Sequence, residues 1–142
     1  MLILVTGDRF WTAGDGGGKT IAEVLERVDK LAKQRPYWGA ITLVHGDARG
    51  VDRLAGVTGD GLGWTVKCEP AKWDVYHKAA GAIRNRVMLD MRPDLVLAFH
   101  DNIDQSRGTR DCMNEALKRG IPVRLFNRRG EITLSRGDVH GG

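Results

Sequence analysis

Short apolar runs alternate with amphipathic stretches along most of the chain. LILVT (2–6), AITLVHG (40–46), WTVKCEP (64–70), DLVLAFH (94–100) and IPVRLF (121–126) read as strands, several of them too continuously apolar to have a face in water. Between the first two, Ile21, Val24, Leu25, Val28, Leu31 and Ala32 recur at helical spacing, and the run stops before RPYWG. Cys112, Met113, Ala116 and Leu117 form a second clear stripe, with Gly120 just after the helix and Pro122 beyond it. Two further helices are predicted near 50–60 and 77–91, where Gly56, Gly59 and Gly81 weaken the pattern. In the later of these, Ile83, Val87 and Met91 read as the buried stripe. The alternation predicts an α/β fold with an open, mostly parallel sheet of about five to six strands, helices on both faces and right-handed crossovers. After LFNRRG only EITL (131–134) is apolar, so 127–142 reads as an edge strand or hairpin arm and then a frayed tail.

Size and charge narrow the class. A chain of 142 residues suits one domain, here 1–126, with a core large enough to be stable unaided. Lys and Arg number 22 against 18 Asp and Glu, a formal net charge of +4. This surplus fits a phosphate-bearing ligand, but it is too small and dispersed to argue for duplex nucleic acid. Cys68 and Cys112 sit in apolar patterns and share no CxxC spacing, so both are expected to be buried free thiols in a reducing compartment, with no metal site. No basic region precedes the first apolar run, and no run approaches the length of a membrane span. The expectation is a cytosolic protein that does not use a membrane and needs no cofactor.

AGDGGGKT (13–20) invites comparison with a P-loop, GxxxxGK[ST], whose backbone amides wrap phosphate. Gly18, Lys19 and Thr20 fit, but the first position is Ala13, and the apolar run ends at Val5, well before the glycines. The stretch therefore reads as a mobile connection into the first helix, with Lys19 available to close over a phosphate as part of a flap.

In open α/β sheets ligands bind beyond the carboxyl ends of the strands. The strand exits here are TGDRFW, HGDARGVD and HDNIDQSRGTRD. Thr6, Gly7, Gly46, Gly50, Ser106, Gly108 and Thr109 offer close backbone approach and hydroxyl donors, and Arg9, Arg49 and Arg107 can pair with phosphate oxygens. Turn and capping chemistry explains any one of these loops alone. It does not require arginines and hydroxyls to accompany the glycines each time. In AGAIRNRVML, Arg84 and Arg86 flank Asn85, and residues two apart on a helix diverge, so at least one arginine faces solvent or a ligand.

GDARGVDRLA, AIRNRVML and SRGTRDCMNEALKRGIPV, in this order, resemble the SLOG superfamily, which includes DprA (Smf) proteins and LOG-type phosphoribohydrolases. The chain is most similar to the YspA-type, cpYpsA-related branch, through VTGDRFWT, VHGDARGVD, WDVYHKAAGAIRNRVML and LVLAFHDNIDQSRGTRD, over about residues 1–126. The resemblance implies a Rossmann-like fold whose glycine-rich loops hold a nucleotide or nucleotide-derived molecule. By position, the ligand residues would be Thr6, Gly7, Asp8 and Arg9; Gly46, Asp47, Gly50 and Asp52; Arg84, Asn85 and Arg86; and Ser106, Arg107, Gly108 and Thr109. Asp8, Asp47 and Asp52 would meet a sugar hydroxyl or an arginine, or, for Asp52, a helix N-terminus.

Two other functions follow from the same resemblance. LOG-type enzymes cleave the N-glycosidic bond of a nucleoside monophosphate and carry PGGxGTxxE. Here DQSRGTRDC matches only at Gly108 and Thr109, and Cys112 replaces the glutamate, leaving Asp111 or Glu115 as substitute acids beside Arg84 or Arg86. DprA proteins bind single-stranded DNA, for which Trp11, Trp73 and Tyr76 could stack on bases, although Trp73 reads better as a lid over the core. Homodimers are common in the superfamily, and one is expected here.

Overall fold

The computed structural model describes residues 1–134, and the expected tail from 135 onward lies outside the described residues. Each apolar run becomes a strand: β1 Leu2–Gly7, β2 Thr42–His45, β3 Thr65–Cys68, β4 Leu95–Phe99 and β5 Val123–Asn127, with β6 Gly130–Ile132 added at one edge. The helices are α1 Gly17–Lys33, α2 Val51–Gly61, α3 Trp73–Tyr76, α4 Ala80–Asp90 and α5 Gly108–Lys118. The sheet runs β3-β2-β1-β4-β5-β6, parallel except for the β5–β6 pair. This is an α/β Rossmann-like fold.

Strand alternation divides the core between the two faces. Ile3, Val5, Leu43, Leu97 and Phe99 pack with Ile21, Val24, Leu25 and Val28 of α1 and with Val51 and Ala55 of α2. Leu4, Val44 and Val96 meet Met88 and Leu89 of α4 and Cys112 and Ala116 of α5. Among the described residues no helix is long and apolar enough to cross a membrane.

The structure corrects several readings. Cys68 is exposed while Cys112 is buried, because β3 is the sheet's edge strand and is mostly uncovered. The helix near 77–91 begins only at Ala80; a separate short helix and a 3-10 turn precede it, broken at His77, whose φ of 49° is left-handed. Its buried stripe is Ala80, Asn85, Met88 and Leu89, and Val87 and Met91 are exposed. Trp11 is core, edge-on to Phe99 with centroids 6.1 Å apart, whereas Trp73 is exposed.

Candidate functional site

From β1 the chain crosses through α1 toward β2, and from β4 it crosses through α5 toward β5, so these adjacent parallel strands send their connections in opposite directions. Such a switch point leaves a crevice at the strands' carboxyl ends. A cleft of about 530 Å³ lies there, lined by Thr6–Phe10, Ala48, Asp52, Arg84, Asn85, His100–Asn102 and Gln105–Thr109.

The β1 wall is set by backbone packing. A Cβ on Gly7 would lie 2.5 Å from the Phe99 carbonyl oxygen and 2.7 Å from Val51 Cβ, so only glycine fits. Gly50 has φ +79°, and a Cβ there would collide with Asp8 O and lie 2.5 Å from the Arg9 carbonyl carbon. Asp8 N–H donates to Phe99 O at 2.9 Å, and Val51 N–H donates to Asp8 O at 3.0 Å, locking the loops after β1 and β2 together. Asp8 Oδ1 accepts Phe10 N–H at 2.7 Å, while Oδ2 lies 3.7 Å from His100 Nε2. His100 Nδ1 accepts Asn102 N–H at 2.9 Å, so the neutral ring carries its proton on Nε2, facing Asp8.

On the opposite wall, Ser106 Oγ accepts Thr109 N–H at 3.1 Å and caps α5, so the capping role accounts for this hydroxyl. The floor joins α2 and α4. Asp52, 5% exposed, accepts amides from Gly46 at 3.0 Å and Ala48 at 3.3 Å. Burial pushes its carboxyl up to about 6, against the opposing pull of Arg84 and these two amides. Arg84 Nη1 donates to Gly46 O at 2.6 Å and its Nε to Asn85 Oδ1 at 3.0 Å, while Asn85 Nδ2 donates to Gly108 O and Asp111 Oδ2, each at 3.1 Å. Behind this floor, buried His45 accepts Asp47 N–H on Nδ1 at 2.9 Å, and desolvation lowers its pKa. A Cβ on Gly56 would lie 2.7 Å from His45 Nε2, which explains a glycine inside α2.

Charges in the cleft are unevenly matched. Asp8, Asp52 and Asp101 are engaged by the protein; Asp101 pairs with Arg128 at 3.3 Å and accepts its N–H at 3.0 Å. Arg9 and Arg107 line the cleft, and among the described residues their guanidiniums make no hydrogen bond or ion pair.

Of the residues singled out by sequence, Thr6, Gly7, Asp8, Arg9, Asp52, Arg84, Asn85, Ser106, Arg107, Gly108 and Thr109 come together around this cleft. Gly46, Asp47, Gly50 and Arg86 do not line it. Gly46 and Gly50 shape it from behind, and Asp47, at φ 57°, pairs with Arg53 at 3.4 Å. Arg86 pairs with Asp111 at 3.1 Å and Glu115 at 3.5 Å, so the two substitute acids are held between α4 and α5 rather than on the cleft wall. Phe10, Ala48, His100, Asp101, Asn102 and Gln105 are lining residues that sequence reasoning passed over, although all lie in the same strand-end loops. The glycine-rich 13–20 stretch is pinned rather than loose. Asp15 accepts Gly17 N–H at 2.8 Å and Thr12 N–H at 3.0 Å, so a carboxylate already occupies the α1 N-terminus, and Lys19 reaches only toward Glu23. Those amides, Gly17's first, hold the Asp15 carboxyl below its ordinary range.

The comparisons agree with this architecture. Across 129 residues the chain is 36% identical to the Gene 61 protein of Mycobacterium phage D29, covering 87% of this chain and 94% of that one. It belongs to that protein's family. No protein-family model matches. Two solved structures share its fold. DNA processing protein A (DprA) from Streptococcus pneumoniae aligns with TM-score 0.65 and 16% identity over 97% of this chain and 54% of its own, so this chain spans about half of DprA. TM1055, a structural genomics target, aligns with TM-score 0.60 and 20% identity over 86% of this chain and 71% of its own. The shared fold is a Rossmann-like α/β fold.

Proposed function

We propose that the protein binds a nucleotide or nucleotide-derived ligand in the β1/β4 cleft, sensing or sequestering it, as a YspA-type member of the SLOG superfamily. The observation that carries this reading is a pair of guanidiniums without a partner among the described residues, Arg9 and Arg107, on opposing loops of one concave site whose aspartates are already engaged. Guanidinium forks suit phosphate oxygens, and the N-terminus of α5, an eleven-residue helix, adds its positive dipole end. A binding role is favoured over N-glycoside cleavage because Arg86 neutralises Asp111 and Glu115, and Asp52 is engaged by two amides. It is favoured over a DNA-binding role because, of the three aromatics suited to stacking, Trp11 is buried in the core and neither Trp73 nor Tyr76 lines the cleft.

A thermal-shift screen of nucleotides, ADP-ribose, NAD, cyclic dinucleotides and a short single-stranded DNA tests the proposal. A nucleotide is expected to raise the Tm of the wild type but not of Arg107→Ala. Stabilisation by DNA alone, or by no ligand, overturns the reading. Release of free base or ribose phosphate from the bound nucleotide would make the protein a glycosidase instead. We also propose a homodimer, because Trp73, Val75, Tyr76, Val87 and Met91 leave apolar surface exposed on α3, on α4 and just after it. Sedimentation at twice 15.7 kDa supports it, and a monomer contradicts it.

A further inference from the structure

We propose that Phe10 is the platform on which the ligand's base stacks, making the ligand one with an aromatic base rather than a sugar phosphate or polyphosphate alone. This rests on the nucleotide reading above. Phe10 lines the cleft beside Arg9, yet 68% of its surface is in water. The neighbouring Trp11, 2% exposed, already fills the core under this loop, so Phe10 is not a core residue that failed to find its place. Its outward position is built: the Phe10 N–H is held by Asp8 Oδ1 at 2.7 Å, and Asp8 is itself fixed by Phe99 and Val51 at 2.9 and 3.0 Å. A rigid loop thus displays a phenyl ring to solvent at the edge of an arginine-lined cleft.

One side of that ring is covered. The guanidinium carbon of Arg49, from the loop after β2, lies 5.1 Å from the ring centroid. Arg49 makes no hydrogen bond or ion pair with the described residues, so this ring contact is what orients it. A guanidinium on one face polarises the ring and leaves the other for a base, an arrangement that tolerates any base because every base presents a π-face. With the phosphates held between Arg9 and Arg107 and drawn toward the α5 N-terminus, the ligand would lie in the cleft with its base on Phe10. Purines, with the larger stacking area, would bind more tightly than pyrimidines.

Calorimetric titration of the full chain with adenosine 5′-monophosphate and with ribose 5-phosphate tests this, using wild type, Phe10→Ala and Phe10→Tyr. Wild type is expected to prefer the nucleotide by about 5- to 150-fold, the range that loss of one base–aromatic stack gives. F10A should lose that preference while keeping its affinity for ribose 5-phosphate, and F10Y should restore it. Unchanged nucleotide affinity in F10A overturns the stacking role and leaves the nucleotide reading standing. Equal weakening of both ligands in F10A also overturns it, since that is the effect of a purely structural residue. A wild type that binds neither compound overturns both proposals.

Discussion

Two glycines in the site separate a residue that supports the fold from one that supports the cleft. A methyl group added at Gly7 meets the Phe99 carbonyl oxygen at 2.5 Å and Val51 Cβ at 2.7 Å. Neither can yield cheaply, because one is backbone in the β1–β4 ladder and the other belongs to a fully buried valine. Overpacking of this kind costs about 3 kcal/mol. A methyl added at Gly46 instead collides with the Arg84 tip, lying 2.5 Å from Cζ. That guanidinium ends a flexible side chain and can swing away, giving up its 2.6 Å bond to Gly46 O, at a cost of about 1 kcal/mol. With roughly 4 °C of Tm per kcal/mol for a domain of this size, Gly7→Ala should melt about 12 °C lower and Gly46→Ala about 4 °C lower. The displaced Arg84 lines the cleft, so Gly46→Ala should also bind the nucleotide about tenfold more weakly, a free-energy change of roughly 1.4 kcal/mol. Scanning calorimetry reads the first effect and titration the second. Equal melting losses in the two variants would refute the distinction between rigid and yielding neighbours.

Other consequences are open to simple measurements. Asp52 is held at about 6 in the fold against an ordinary 3.8, so the folded state binds the extra proton and stability contributed by this site is lost as pH rises from about 4 through 6. Urea unfolding should show the wild type losing about 2 kcal/mol relative to Asp52→Asn between pH 4 and 7, and a pH-independent difference contradicts the shift. Arg86→Ala removes the link between α4 and Asp111 and Glu115, so Tm should fall by about 4 °C with ligand affinity unchanged. Lost binding at an unchanged Tm would put Arg86 in the site. A thiol reagent should modify exposed Cys68 in the native protein and reach buried Cys112, whose thiol burial pushes up to about 12, only on unfolding; rapid reaction of both thiols contradicts the packing of α5.

Much of the fold was legible because continuously apolar runs such as LVLAF have few alternatives to a strand covered on both faces. The α4 stripe was misread for a physical reason. Asn85 sits on its buried face, committed to Gly108 and Asp111, and this polar residue hides the stripe from an apolar pattern, which then favours the adjacent face of Ile83 and Val87. Cys68 was misplaced because an apolar run does not reveal that its strand lies at the sheet edge. At the site, glycines and arginines in strand-end loops carried the signal. Composition could not show that Asp15 occupies the α1 N-terminus in place of phosphate, or that Arg86 turns away from the cleft while Arg84, two residues earlier, lines it. Nor could it distinguish Phe10 from Trp11: adjacent aromatics in one loop face opposite ways, and only the packing of Trp11 against Phe99 decides which one is buried.

The central claim is that Arg9 and Arg107 form a phosphate site at the β1/β4 switch point. Isothermal titration of the nucleotide found by the screen into wild type, Arg9→Ala, Arg107→Ala and the double variant tests it most directly. The account predicts that each single change weakens binding by about tenfold or more, as loss of a charge-assisted contact should, and that the double variant shows no detectable binding while retaining the wild-type Tm without ligand. Wild-type affinity in the double variant would place the ligand elsewhere and contradict the claim.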